Sequence, residues 1–101
     1  MNNPVVADRP LDPLGFAQIT VTTGALGLPS VPARASYAYV QAQGGLLRWR
    51  DDGTDPTGDV GHLMDNVDDL WYIGNLLKFK VIKETSESAT VQLSVSFYKV
   101  R

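Results

Sequence analysis

The chain contains no cysteine, which excludes a disulfide framework, a thiolate-ligated zinc or iron–sulfur site and a thiol nucleophile. Its single histidine, His62, leaves no second imidazole for a metal site, and no Gly-x-Ser-x-Gly turn presents a nucleophilic serine. Long apolar runs are also missing, since nowhere do roughly 18 apolar residues follow one another as a membrane-spanning helix requires. The start, Met1-Asn2-Asn3-Pro4, lacks a basic segment followed by an apolar run, so the expectation is a protein without a secretory signal, made in the cytoplasm. Nine basic residues against eleven acidic ones give a net charge of −2, which offers no general attraction for nucleic acid or for an anionic membrane. No segment keeps a 3.6-residue apolar period, so helices are not expected.

What is present points to β-structure. With 101 residues, 44% of them apolar, the chain is long enough for one domain with a real core. The opening segment, with Pro4, Pro10 and Pro13 among Asn, Asp and Gly15, resists helix and cannot donate into the middle of a sheet. Residues 1–15 are therefore expected as an extended arm and residues 16–101 as the domain. In residues 16–23 Ala17, Ile19 and Val21 alternate with Gln18, Thr20 and Thr22, a strand pattern. Residues 24–34, broken by Gly24, Gly27, Pro29 and Pro32, read as a long loop whose Leu26, Leu28 and Val31 plug a barrel end or a partner surface. Residues 35–43 and 46–50 read as a hairpin turned by Gly44-Gly45, with Leu47 and Trp49 on one face and Arg48 and Arg50 on the other.

Further strands are expected at residues 60–64, at Leu70-Trp71-Tyr72-Ile73, and after Asn75, where Leu77, Phe79 and Val81 alternate with Lys78 and Lys80. Ile82, on the lysine side, marks that face as not wholly wet. The last strand is the clearest, with Ala89, Val91, Leu93, Val95 and Phe97 pointing one way and Thr90, Gln92, Ser94, Ser96 and Tyr98 the other. About seven strands favour an all-β fold, a single antiparallel β-sandwich of jelly-roll or immunoglobulin-like type, with a small closed barrel as the other solution. The outward faces of the first and last strands are Thr, Ser and Gln, which cost less to desolvate than charges and are compatible with packing against another subunit, but are equally ordinary in antiparallel sheets.

Candidate chemistry is thin. Asp65, Asp68 and Asp69 form a possible carboxylate pair, but adjacent aspartates on a turn ordinarily accept backbone N–H bonds. Seven of the eleven acids fall in residues 51–69, with Lys78, Lys80 and Lys83 close behind. Asp51, Asp52, Asp55 and Asp59 supply oxygen ligands of the kind calcium takes, yet their spacing is not that of an EF-hand. A turn explains them better: Asp52-Gly53 tolerates positive φ, Asp55 precedes Pro56, and Thr57-Gly58 lets the chain reverse. Trp49, Trp71, Tyr72, Phe79 and Tyr98 with Arg48 and Arg50 suggest a nucleic-acid surface, against which the interleaved aspartates argue. No cofactor or metal is expected.

The order Leu47-Arg48-Trp49-Arg50-Asp51-Asp52-Gly53-Thr54-Asp55-Pro56-Thr57, Gly61-His62, Asp69-Leu70-Trp71-Tyr72-Ile73, Phe79-Lys80-Val81-Ile82 and a last strand ending in Tyr98 resembles small β-sandwich virion proteins of tailed bacteriophages and prophages. The resemblance covers residues 35–100. It implies a non-enzymatic structural protein carried in the virion and made in the bacterial host cytoplasm. A capsid decoration or cement protein, bound multivalently to the major capsid protein, is the first expectation, and a head–tail connector or tail accessory subunit the alternative. Only Asp52, Gly53, Thr54, Pro56 and Thr57 carry over, as fold determinants, and Asp51 departs from the small hydroxyl residue the pattern has before Asp52. The turn is also similar to one in immunoglobulin-like domains of chitobiase-type glycosidases. A carbohydrate-binding module that stacks sugars on Trp49, Trp71 or Tyr72 is therefore the reading from another class. Partner contacts of the virion reading are expected along the arm, at Pro4, Val5, Val6, Pro10, Leu11, Pro13 and Leu14, among copies of a homo-oligomer and other virion subunits, with neither nucleic acid nor membrane as partner.

Overall fold

The structure is a computed structural model and describes residues 10–101; Pro4, Val5 and Val6 of the expected arm lie outside the described residues. Among the described residues eight strands form, β1 (Leu11–Val21), β2 (Leu26–Gly27), β3 (Tyr37–Gln43), β4 (Leu47–Arg50), β5 (His62–Met64), β6 (Asp69–Tyr72), β7 (Lys80–Lys83) and β8 (Val91–Val100). They make two four-stranded antiparallel sheets, ordered β1-β8-β3-β6 and β2-β7-β4-β5. The first strand pairs with the last, the second with the second to last, and so on to β4 with β5. The β3–β8 and β4–β7 pairings complete each sheet. A long hairpin of strand pairs wound on itself in this way is a jelly roll, which decides between the two sandwich types the sequence left open.

The core lies between the sheets. Ala38, Val40 and Ala42 of β3 and Val91, Leu93, Val95 and Phe97 of β8 fill it from one side, and Leu47, Met64, Phe79 and Val81 from the other. The period of two in β8 is thus the pattern of a central strand with one face buried. Leu26, Leu28 and Val31 pack on this core from its margin.

Four expectations are corrected. The first strand begins at Leu11, not Phe16: Leu11 pairs with Val100 and Pro13 with Tyr98, and a bulge between Pro13 and Gly15 turns Leu14 inward onto the core. Leu11, Pro13 and Leu14 are therefore sheet residues and not part of a free arm, while the carbonyl of exposed Pro10 accepts the Arg101 N–H at 3.1 Å. Proline rules out a helix and a central strand, but β1 is an edge strand, where a missing N–H on the open side costs no ladder bond. Secondly, the expected loop of residues 24–34 contributes β2, a two-residue strand too short to show any period. Thirdly, β3 and β4 are not a hairpin, because Gly44-Gly45 carries the chain from one sheet to the other. Gly44 has φ of 96°, and a Cβ there would run into the Thr90 carbonyl. Lastly, after Asn75 the chain turns before it extends, with the Lys78 N–H bonded to the Asn75 carbonyl and the Leu77 N–H to Asn75 Oδ1, both at 3.0 Å. That turn exposes Leu77 (76%) and buries Leu76 and Phe79 in its place.

Candidate functional site

The Asp-rich segment that joins β4 to β5 is folded back on its own sheet. The Arg48 side chain donates to the carbonyls of Gly58 (3.1 Å) and Gly61 (2.9 Å), the Thr85 N–H donates to the Gly58 carbonyl (3.0 Å), and Lys80 pairs with Asp55 (3.3 Å). These contacts hold the loop against the outer face of β4 and β7, where Ile82, the register partner of Arg48, is only 7% exposed. Within the loop Arg50 grips Asp52 through two hydrogen bonds, which hold that carboxyl down to about 2, and Asp52 Oδ1 also accepts the Thr54 N–H. Gly53 has φ of 89°, Pro56 is buried, and Thr57 Oγ1 accepts the N–H groups of Asp59 and Val60. Asp52, Gly53, Pro56 and Thr57 thus shape the turns of this loop, to which Thr54 contributes its backbone N–H.

The carboxylates do not converge. Asp51 accepts the Tyr72 hydroxyl, Asp52 faces Arg50 and Asp55 faces Lys80, while Asp65 and Asp68 accept backbone N–H groups of their own turn. Among the described residues no group of three His, Asp or Glu side chains is placed to hold a metal ion. Exposed His62 lies on Trp49, with ring centroids 4.6 Å apart. Trp49 is tilted 43° from that ring, stacks on Phe79 at 4.9 Å and 19° and is half-buried, and Tyr72 is buried. Of the three rings named for carbohydrate stacking, Tyr72 is a core residue and Trp49 packs half-buried against the core.

The opposite sheet is built differently, and its outer face is the candidate site. β1 and β8, the two strands with neutral outward faces, are neighbours, so those faces merge. The register sets Thr20, Gln92 and Gln43 in one row, Gln18, Ser94, Gln41 and Asp69 in the next, Phe16, Ser96, Tyr39 and Trp71 in a third, and Pro13, Tyr98 and Tyr37 in a fourth. Across these four rows Asp69 is the one charged side chain, and it accepts the Tyr39 hydroxyl at 2.6 Å. Gln18 donates to Gln43, Gln43 to Gln41 and Gln92 to Thr20, each at 3.2–3.3 Å, which ties the amides into a network. The other end is aromatic: Trp71 lies 5.2 Å from Tyr39 and 5.1 Å from Tyr98, tilted by 42° and 41°, with Phe16 66% exposed beside them. The contribution of β3 was readable in Tyr37-Ala38-Tyr39-Val40-Gln41-Ala42-Gln43, where small apolar residues alternate with Tyr and Gln. The outward direction of Trp71 was not, because its neighbours Leu70 and Tyr72 are equally apolar.

Two tyrosines contribute pH dependence on the alkaline side. The hydrogen bond to Asp69, with burial second, pushes Tyr39 up to about 12, and burial followed by the bond to Asp51 pushes Tyr72 higher still. The folded chain keeps these protons where the unfolded chain has lost them. Their stabilisation is therefore complete below about pH 10 and falls as pH rises from there through about 12. Urea midpoints are expected to drop between about pH 10 and pH 12, and to drop less in Tyr39→Phe; a flat midpoint contradicts the assignment.

No protein-family model, no curated protein and no solved structure matches this chain.

Proposed function

We propose that this protein is a non-catalytic structural subunit of a tailed-bacteriophage virion, a capsid decoration or cement protein that seats the outer face of β1-β8-β3-β6 on the major capsid protein. The observation that carries the reading is the contrast between the two sheets: one outer face is closed by its own loop, and the other, among the described residues, is open across four strands with a single charged side chain in its four rows. Uncharged amides, hydroxyls and tilted aromatics need little desolvation energy, so such a face suits burial against another protein. The motif order of residues 35–100 supports the virion class. Jelly rolls recur in viral capsid and lectin domains, which is an argument from fold analogy alone. In a closed shell many weak seats add avidity, so modest affinity per subunit suffices.

The test is mass spectrometry of density-banded particles released by a host that carries this gene, followed by rebinding of the purified protein to particles lacking it. The protein is expected in the particles, with saturable rebinding to the head. Location at the neck or tail would move the reading to the connector or tail alternative, and absence from particles would overturn it. The carbohydrate reading keeps one support, the Tyr39–Trp71–Tyr98 cluster, and predicts instead a glycan-array signal that Trp71→Ala abolishes.

A further inference from the structure

The backbone of β1 meets β8 on one side and, among the described residues, has no hydrogen-bond partner on the other. At the other sheet edges the strands are short: two residues in β2, three in β5 and four in β6, against eleven in β1. An open edge is a template for a further strand, which soluble proteins blunt with lysine, proline, bulges or shortness. β1 has such protection at one end only, where Pro13 and the bulge interrupt the ladder. Residues 15–21 continue without interruption, contain no charge, and carry Phe16 exposed on the outer side and Ile19 half-buried on the inner one.

Charge selects the occupant. The chain has a net charge of −2, and seven of its eleven acids lie in residues 51–69: Asp65, Asp68 and Asp69 follow β5 into β6 at the edge opposite β1, and Asp51, Asp52, Asp55 and Asp59 lie on the loop held over β4 and β7. Two copies meeting through that far edge would bring their aspartates together, whereas meeting through β1 keeps them apart. A neutral strand paired antiparallel with itself about a two-fold axis meets no like charge and is complementary to its own copy. We propose that two copies of this chain pair through β1, joining two four-stranded sheets into one continuous sheet and their open outer faces into one surface. With the axis at Gln18, Phe16 of one copy faces Thr20 of the other, and Ala17 faces Ile19. This pairing goes beyond the virion reading and does not depend on it, because a chain absent from particles can still dimerise.

Sedimentation of the full chain tests it. A strand pair buries much less than the ~1,600 Å² of a standard interface, so twice the chain mass is expected at about 200 µM and the single-chain mass at about 2 µM. Gln18→Lys with Thr20→Lys, and separately Gln18→Glu with Thr20→Glu, place like charges across the axis and are expected to stay single at about 200 µM. Mixing these two variants, each with a native circular dichroism spectrum, restores the doubled mass. Single-chain mass for the unaltered protein at about 200 µM overturns the proposal, as does a doubled mass for either variant alone or a mixture that stays single. If either variant fails to fold, amide exchange of the unaltered chain decides. Exchange within residues 15–21 that slows from about 2 to 200 µM supports the pairing, and exchange independent of concentration overturns it.

Discussion

Phe79→Ala is expected to lower the melting temperature by about 15–30 °C, the largest effect of any single truncation in the chain. Phe79 is fully buried, stacks face to face on Trp49 of β4 at 4.9 Å, and meets Tyr72 of β6 edge-on at 4.8 Å. It therefore joins a residue of each sheet, although it belongs to neither. Truncating a buried Phe costs about 3–5 kcal/mol, and each kcal/mol shifts a domain of this size by roughly 4–8 °C. Because small domains hold only about 5–15 kcal/mol, the variant sits close to its unfolding threshold. The control is Leu77→Ala, expected to change stability by no more than about 0.5 kcal/mol, since that side chain is in solvent. Alternation in the sequence treats residues 77 and 79 alike, so a large cost at Leu77 would contradict the turn at Asn75. Thermal melts of both variants decide.

Arg48→Met is the second large effect, expected at about 2–4 kcal/mol, against a change near zero for Arg50→Met. Arg48 bonds two backbone carbonyls of the loop, and hydrogen bonds to a charged group contribute about 1.5–3 kcal/mol each, with some loss from unsatisfied partners. Methionine keeps the apolar stem over the sheet but removes the guanidinium, so the loop is released and Ile82 is uncovered. Arg50 meets Asp52, whose side chain is 55% exposed, and solvent screens such an exposed ion pair so that its loss costs little. Urea unfolding, together with proteolysis at residues 51–61, checks the pair. Equal costs for the two arginines would refute the idea that the loop is an anchored lid.

The sandwich was legible where one face is buried and the other wet. In β8 every second residue from Val91 to Phe97 is apolar, and in β1 Ala17, Ile19 and Val21 follow the same rule, so burial left a direct trace in the sequence. The face that these strands share was legible only in halves. Thr20, Gln18, Gln92 and Ser94 were visible as neutral, but their adjacency depends on β1 pairing with β8, a contact made across most of the chain. The roles of the tryptophans were hidden for the same reason, since the register of β6 turns Trp71 outward while that of β4 turns Trp49 inward. Arg48 was hidden by a different cause: alternation assigned it to solvent, and only Ile82 on the same side hinted that a loop covers that face. The early start of β1 was obscured by Pro10 and Pro13, which exclude a helix and a central strand yet are compatible with an edge.

The central claim is that the open face works and the covered face supports. It is tested most directly by counting copies per particle for two folded variants, Gln41→Lys with Ser96→Lys on the open face and Thr54→Lys with Asp59→Lys on the exposed loop. The account predicts at least about a tenfold loss of incorporation for the first pair, the effect of ~1.4 kcal/mol per seat, and unchanged incorporation for the second. Incorporation lost by the loop pair and kept by the open-face pair would contradict it.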